Sequence, residues 1–511
     1  MQASYKKKVL LLILLFAAAR CVVASVTELG NDESYYWLFS QRIQWNYFDH
    51  PPLVAILVKT FSFNLLLQDY TLFLRLGSIV ACGISAWFMF KAVASIKDER
   101  TGWYAACLYT ASYYAGITAG LFVMPDSPQM IFWTLCLWML AKIINDEKRM
   151  LWWIIFGISA GLCIMSKVHG VFIWFGLGLF VLLKKREWLK HPGLYTAALL
   201  TIIIASPILI WNLQNDFITY RFHSERVVPA GHSGSFFNLL KEMIGELVIN
   251  NPANVLLIIT ALITGTNKKF RSGALSIFSF TGLSLIACIL LMAFFRKTLP
   301  HWSGPAYIAL IPCAAVYLSQ LKKPTEFPFI LRLSLIFYVI FLAGCTTFIY
   351  SYPGTIGNRS ISDLGKGDIT LDMYGWKDAG KEFGKIYQQD LATGAMPAGT
   401  PVVCNNWWGA HEEYYFCRPL QIQMIGLGPL HEIHHYAWLN EERSKKADLS
   451  SAYCIIHSDE NYDAMKAYSE YYTTSDTAAV IHTFRGGKLA HDFYVLRLRG
   501  WKGKGIMVAK E

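Results

Sequence analysis

Residues 31–37 read Asn-Asp-Glu-Ser-Tyr-Tyr-Trp, and residues 47–52 read Tyr-Phe-Asp-His-Pro-Pro. Both stretches lie between hydrophobic segments at 8–27 and 72–95. Adjacent carboxylates beside a membrane segment are costly to hold near lipid, so a functional role is the first explanation for them. The aromatic run is typical of a helix at headgroup level, and each proline fixes its own φ and restricts the residue before it. The loop 28–71 therefore predicts an interfacial helix, a rigid turn and a site at the membrane surface.

The composition is that of a membrane protein. Of 511 residues, 54% are hydrophobic and 15% are aromatic, and the mean hydropathy is +0.35. Several apolar stretches approach the roughly 20 residues that are needed to cross a bilayer. The net charge of +11 comes mostly from short Lys/Arg clusters between these stretches, where positive charge orients helices toward the cytoplasm. We therefore predict a polytopic protein of the inner (plasma) membrane, with no nucleic-acid partner.

The apolar windows predict about eleven transmembrane helices. Basic loops alternate with loops that carry unusual polar residues, so the positive-inside rule places the N-terminus in the cytoplasm and the C-terminus outside. The run Lys6-Lys7-Lys8 before the first window resembles a signal peptide, but Arg20 interrupts the apolar stretch, which favours an uncleaved first helix. The windows are 8–27, 72–95, 102–122, 128–145, 151–166, 168–184, 194–213, 248–266, 274–295, 302–320 and 328–350.

Residues 1–350 form the predicted transmembrane domain, and residues 351–511 differ from it in character. This second region is polar and of mixed charge, with short β-rich runs and helix-like segments between them. The pattern predicts one extracytoplasmic α/β domain of ordinary size. Within it, Cys404 and Cys417 are the pair expected to form a disulfide if the region is oxidised.

Asp32 is the leading candidate for a catalytic residue. Its carboxylate can accept a proton from an incoming hydroxyl or amine, or it can cap the aromatic helix that follows. Because Asn31 is available as a cap, we favour the catalytic role. Glu33 is expected to interact with the helix dipole in the first turn, and Glu33 and Tyr36 complete the predicted substrate surface.

These residues resemble a known family. The first-loop acid pair with its aromatic run, the turn at 48–52 and Pro-Asp-Ser-Pro at 125–128 are similar to the GT-C glycosyltransferases of family 39 type. That family includes protein O-mannosyltransferases and lipid A aminoarabinose transferases. The similarity continues through 161–167 and 206–212 and covers most of 8–320. It implies a GT-C fold and inverting transfer of a monosaccharide from a polyprenyl-phosphate donor, on the outer face of the bilayer, to a lipid, glycan or protein acceptor.

The resemblance also implies roles for single residues. Asp32 matches the family's catalytic aspartate, and Asp126, which resembles its second outer-face acidic position, is the second catalytic candidate. Asp49 and His50 stand where the aminoarabinose transferases have an acidic metal ligand and a basic phosphate ligand, although the basic residue here is histidine. His223 resembles part of the third-loop segment, and with Asp49 it is a candidate ligand of a divalent metal. The alternative for His223 is a solvated loop side chain.

Fixed cations would stabilise the negative charge that develops on a leaving phosphate. The predicted outer loops hold Lys167, Arg226 and Arg296, which are the candidates for binding the donor phosphate together with His50. The alternative for each lysine or arginine is an interfacial anchor whose charge snorkels to the membrane surface.

Two other functions stay open. Residues 431–435 read His-Glu-Ile-His-His, a literal H-E-x-x-H, which on a helix would place two histidines on one face, as in zinc metallopeptidases. A membrane transporter of a glycan or lipid is the second alternative. Transporters place ionisable residues at mid-membrane in two related halves, whereas the ionisable residues here gather at the predicted outer face. The sequence identifies neither the sugar nor the acceptor.

Overall fold

The chain divides into two compact units. The first comprises Met1–Ser25 and Ile43–Leu342, and the second comprises Val26–Arg42 and Ala343–Glu511. The acidic part of the first loop thus belongs to the second unit, whereas the Pro-Pro turn belongs to the first. The computed structural model describes residues 4–227, 234–264, 273–321, 327–460 and 464–508.

The first unit is helical. Helices satisfy their own backbone hydrogen bonds, which a segment inside a bilayer requires. A π-helical turn, Tyr114–Thr118, and 3₁₀ turns at Val168–Val171, Arg186–Lys190 and Pro300–Ser303 connect some of the helices. The α-helices are Tyr5–Val26, Leu53–Phe61, Thr71–Ile96, Glu99–Ala111, Asp126–Asn145, Met150–Ser166, Phe172–Lys184, Pro192–Gln214, Ile218–Val227, Phe236–Ile249, Pro252–Thr264, Ala274–Phe295, Gly304–Leu321 and Phe329–Ser351.

The polytopic helical class is confirmed, but the count of eleven spans is not. Seven helices among the described residues are long and apolar enough to cross a bilayer. The pair Phe236–Ile249 and Pro252–Thr264, bent by 105°, adds an eighth if it forms one span. Met150–Ser166 and Val168–Lys184 are apolar but shorter than the other candidates, so their length alone does not identify them as spans.

The predicted span 102–122 is interrupted. Its α-helix ends at Ala111, and the π-helical turn follows. The carbonyl oxygen of Gly116 in this turn accepts hydrogen bonds from Arg20 Nε at 2.7 Å and from the Tyr338 hydroxyl at 3.0 Å. Glycine is required there, because a Cβ would lie 2.4 Å from the Tyr338 ring. A buried arginine on the first helix therefore stabilises the break, which hydropathy cannot reveal.

The second unit is an α/β domain, as the sequence predicts. Its five strands form one sheet in the order β2-β1-β3-β5-β4. Strand β1 is parallel to β2 and β3, whereas β5 is antiparallel to β3 and β4. The strands are β1 Val402–Cys404, β2 Met424–Gly426, β3 Ser451–His457, β4 Tyr472–Arg485 and β5 Lys488–Trp501, and the α-helices are Asn31–Gln41, Trp376–Thr393, Gly409–Glu412, Leu430–Ile433, Tyr436–Arg443 and Ala464–Tyr468.

The aromatic helix Asn31–Gln41 packs its rings into the second unit. The ring centroids of Tyr35 and Trp407 are 5.2 Å apart, and those of Trp37 and Tyr414 are 5.0 Å apart. Both helix residues are buried. Aromatic pairs at these separations stabilise a fold beyond the area that they bury. The packing fixes the acidic first turn of the helix in one position within the unit.

The disulfide considered for Cys404 and Cys417 does not form, since both thiols are free and buried. Cys404 ends β1, whereas Cys417 ends the separate π-helical turn Glu413–Cys417. Burial raises the pKa of both thiols well above their usual value. The two cysteines therefore act as small core residues of the second unit.

The H-E-x-x-H stretch does not form a zinc-binding helix. Its helix ends after four residues at Ile433, and His434 takes a positive φ of 47°. The two histidines of the motif differ in environment, because His431 is exposed and His435 is fully buried. They do not share one helical face, so the metallopeptidase alternative loses its geometric basis.

Candidate functional site

A buried ion pair lies in the first unit. Asp126 begins the helix Asp126–Asn145, and Lys167 directly follows the helix Met150–Ser166. The Lys167 Nζ lies 3.0 Å and 2.8 Å from the two carboxylate oxygens of Asp126. The Tyr114 hydroxyl donates to the same carboxylate at 2.7 Å. The acidic and basic residues that the sequence assigned to separate roles are thus partners in one cluster.

The ion pair is almost fully removed from solvent, with Asp126 0% and Lys167 4% exposed. Two charges at this depth are stable only together, because removing one leaves the other uncompensated. An ammonium group has three N–H donors, and two of them suffice for the two Asp126 oxygens. The third donor can serve another anion.

Histidines surround this ion pair. His169 and His301 lie close enough to Asp126 and Lys167 for electrostatic interaction with both. His50 also interacts with the pair, and desolvation lowers its pKa well below the usual value. The His50 imidazole is therefore neutral at pH 7 and can offer a phosphate a hydrogen bond but no fixed charge.

The predicted metal ligands Asp49 and His223 are neighbours. His223 Nε2 lies 2.8 Å from the backbone carbonyl oxygen of Asp49. His50 Nε2 lies 3.9 Å from Asp49 Oδ2. The metal-binding role of Asp49 and His223 stays a prediction.

The two candidate arginines are placed differently. Arg296 follows the helix Ala274–Phe295, and its backbone N–H donates to the Met292 carbonyl oxygen at 2.8 Å. Its side chain is half-buried. Arg226 belongs to the helix Ile218–Val227, but its side chain lies outside the described part of the structure. Phosphate binding by either arginine stays a prediction.

In the second unit, the first turn of the aromatic helix leaves Asp32 exposed. The N-cap position is Gly30, and Glu33 Oε2 accepts a hydrogen bond from the Gly30 N–H at 3.0 Å. Glu33 thus stabilises the helix start through this hydrogen bond, and Asp32 is not the cap. Tyr36 is 4% exposed and packs against neighbouring rings of the same helix. Of these residues, Asp32 is the one presented to solvent.

Asp32 lines a cavity of about 320 Å³ in the second unit. Asp372 lies beside it, with Oδ1 accepting the Asn31 N–H at 3.0 Å. Burial, together with the nearby carboxylates of Asp32 and Glu33, raises the pKa of Asp372 to about 7. The lining residues are Asn31, Asp32, Gly367, Asp368, Ile369, Leu371, Asp372, Trp376, Trp407, Trp408, His457, Asp459 and His491.

Several of these lining residues have no signal in the sequence. His457 ends β3, and the antiparallel pairing of β3 with β5 brings His491 close to it. The two histidines are 34 residues apart, a separation that matches no metal or catalytic motif. Only the strand register, which pairs His457 with Phe493, could have indicated their proximity.

Comparison with known proteins gives matches to glycosyltransferases. The family model described as dolichyl-phosphate-mannose-protein mannosyltransferase matches residues 49–211. The lipid A galacturonosyltransferase RgtD of Rhizobium johnstonii is 24% identical over 337 residues, which are 64% of this chain and 67% of that protein.

The fold is similar to that of a solved structure. The crystal structure of ArnT from Cupriavidus metallidurans in the apo state gives a TM-score of 0.65 at 13% identity, over 96% of this chain and 98% of that one. ArnT bound to undecaprenyl phosphate gives a TM-score of 0.62 at 12% identity, with the same coverage. The solved structures confirm the predicted GT-C fold, and the family model and RgtD agree with the predicted resemblance.

Proposed function

We propose that this protein transfers a monosaccharide from a polyprenyl-phosphate donor to an envelope lipid, glycan or protein on the extracytoplasmic face. The observation that carries the proposal is the cavity in which exposed Asp32 lies among carboxylates and three tryptophans. A concave site with aromatic walls and a few polar groups is the usual form of a small-molecule site. Aromatic faces and carboxylates together suit the apolar faces and hydroxyls of a sugar.

In the proposed reaction, a lone pair of an acceptor oxygen or nitrogen attacks C1 of the donor sugar. The bond between C1 and the phosphate oxygen breaks, and the electron pair leaves with the polyprenyl phosphate. The acceptor proton passes to the carboxylate of Asp32, which acts as general base. Attack on the face opposite to the leaving group inverts the configuration at C1.

The leaving phosphate needs positive charge and hydrogen-bond donors. In the first unit, Lys167 has one N–H beyond the two that Asp126 occupies, and neutral His50 has one ring N–H. We assign both residues to the donor phosphate, with Arg226 and Arg296 as further candidates. Asp126 then holds the Lys167 ammonium in place.

The test is transfer by the purified full-length protein in liposomes that contain a panel of polyprenyl-phosphate monosaccharides and lipid A, with product measured by mass spectrometry. Asp32→Asn keeps the size of the side chain but removes its basicity, so transfer should fall roughly 100-fold or more. The matched control is Glu432→Gln, an exposed residue of the discarded H-E-x-x-H stretch, which should keep parent activity.

Two results would contradict the proposal. One is an Asp32→Asn protein that transfers sugar at the parent rate. The other is accumulation of glycolipid across the vesicle membrane without any new glycosidic product, which would support the transporter alternative.

A further inference from the structure

Two histidines and an aspartate converge on one point at the wall of the cavity in the second unit. Asp459 Oδ1 lies 2.8 Å from His457 Nδ1 and 2.7 Å from His491 Nε2. One donor atom from each residue lies within 4.8 Å of the others. Among the described residues, this is the group of three side chains whose donors converge in this way. Both imidazoles are buried, at 5% and 1% exposure.

Two further acidic side chains lie close to His457. Glu412 Oε1 lies 3.7 Å and Glu460 Oε2 3.5 Å from His457 Nε2. A divalent cation held by the three residues would interact favourably with these two carboxyl groups, because opposite charges at short range attract each other.

We propose that His457, Asp459 and His491 bind a divalent transition-metal ion, for which zinc is the best match. Two imidazole nitrogens and one carboxylate oxygen are a ligand set that zinc uses when it keeps a fourth position open. All three residues line the cavity that also holds Asp32, so the open position faces that cavity. The site does not depend on the proposed sugar transfer.

The geometry is that of a site whose ligands are still protonated. Zinc–ligand distances of about 2.0–2.1 Å place tetrahedral ligand atoms roughly 3.3 Å apart. The N···O distances of 2.7 and 2.8 Å are hydrogen-bond distances. Metal binding must replace the two N–H protons that point at Asp459 and move the donors apart by about half an ångström. The binding therefore releases protons and strengthens as the pH rises.

Outer contacts support the ligands as well. Trp376 lies edge-on to both imidazoles, with ring centroids 5.2 Å from His457 and 6.1 Å from His491. With the metal on Nδ1, His457 keeps a proton on Nε2 that faces Glu412 and Glu460. A carboxylate behind a metal-bound histidine orients the ring and increases its basicity.

The experiment measures zinc binding by the purified full-length protein in detergent, after removal of metal with a chelator. Zinc is added in competition with a chromophoric chelator, and bound metal is counted by mass spectrometry. His491→Gln and Asp459→Asn should each lose one zinc equivalent or bind it at least 100-fold more weakly. The matched control His482→Gln changes an exposed histidine of the same hairpin, paired with Asp492 at 2.8 Å, and should bind zinc like the parent.

The variant Asp49→Ala with His223→Ala separates this site from the candidate metal ligands of the first unit and should retain the zinc described here. Loss of all zinc in that variant would overturn the proposal, as would parent stoichiometry and affinity in both His491→Gln and Asp459→Asn. A crystallographic test on the parent protein does not depend on whether any variant folds. Crystals soaked in zinc should show an anomalous peak between the three side chains, and a peak elsewhere only, or none, would also overturn the proposal.

Discussion

The strongest prediction for stability concerns the buried ion pair of the first unit. Replacing Lys167 with Met keeps the length of the side chain but removes its charge. Asp126 then retains the Tyr114 hydroxyl at 2.7 Å and loses two contacts at 2.8 and 3.0 Å. Because Asp126 is 0% exposed, water cannot replace the lost partner.

The expected cost of Lys167→Met is about 3–5 kcal/mol of unfolding free energy, the range for a buried pair that loses one member. Adding Asp126→Asn removes the uncompensated charge and should recover part of that cost, with a coupling energy of at least about 2 kcal/mol. The matched control is Lys185→Met. Lys185 pairs with Glu147 at the same kind of distance, 3.0 Å, but the two side chains are 33% and 35% exposed. Lys185→Met should therefore lower the free energy of unfolding by about 1 kcal/mol or less.

The assay is unfolding of the purified protein in mixed micelles with increasing SDS, run on the parent, the single variants and the double variant. A Lys167→Met protein within about 0.5 kcal/mol of the parent would refute the reasoning, since surface substitutions have that effect. The double variant is also informative in the transfer assay. It should fold but transfer sugar poorly, because Lys167, the proposed ligand of the donor phosphate, is gone.

Three more predictions follow from the second unit. Gly30→Ala should lower the free energy of unfolding by about 1–3 kcal/mol in a thermal melt, because the added Cβ would lie 2.7 Å from Asp372 Oδ2. In the control Gly384→Ala, the added Cβ meets nothing closer than 3.7 Å, so this variant should be as stable as the parent. The folded protein binds the Asp372 proton more tightly than the unfolded chain, so the stabilisation from this group is lost as the pH rises from 3.8 to about 7. Asp372→Asn should therefore flatten the fall in melting temperature across that pH range. An unchanged slope of melting temperature against pH would contradict this prediction. A reporter that is active only in the cytoplasm should be silent when fused after Glu511.

Much of the first unit could be predicted because lipid imposes a simple rule on sequence. A bilayer-crossing helix must be apolar over its length, and most predicted windows agree with a helix within a few residues. The rule fails at 102–122, where Gly116 and Arg20 satisfy the backbone of a broken helix. Hydropathy averages over such a break, because it does not register which single polar side chain reaches which carbonyl group.

The candidate site shows the same limit. Asp126 and Lys167 could each be recognised as unusual near a membrane, but not as partners, because 41 residues separate them. The H-E-x-x-H stretch predicts two histidines on one helical face, but His434 adopts a positive φ that ends the helix. His457 and His491 meet only through strand pairing. The local sequence shows which side chains carry unusual chemical groups. It does not show which of them meet, because that depends on contacts between residues that are distant in the sequence.

The division of the first loop between the two units affects the order in which the protein can be completed. The Gln41 side-chain amide donates a hydrogen bond to the carboxylate of Glu413, which lies 372 residues later in the chain. At a synthesis rate of about 5–20 residues per second, the aromatic helix must wait roughly 20 to 75 seconds for this partner to be made. During that time its apolar rings lack the groups that bury them. The last third of the chain is therefore needed to bury the aromatic helix that follows the first membrane segment. A chain that ends early would expose the apolar rings of this helix and lack most of the residues that line the cavity.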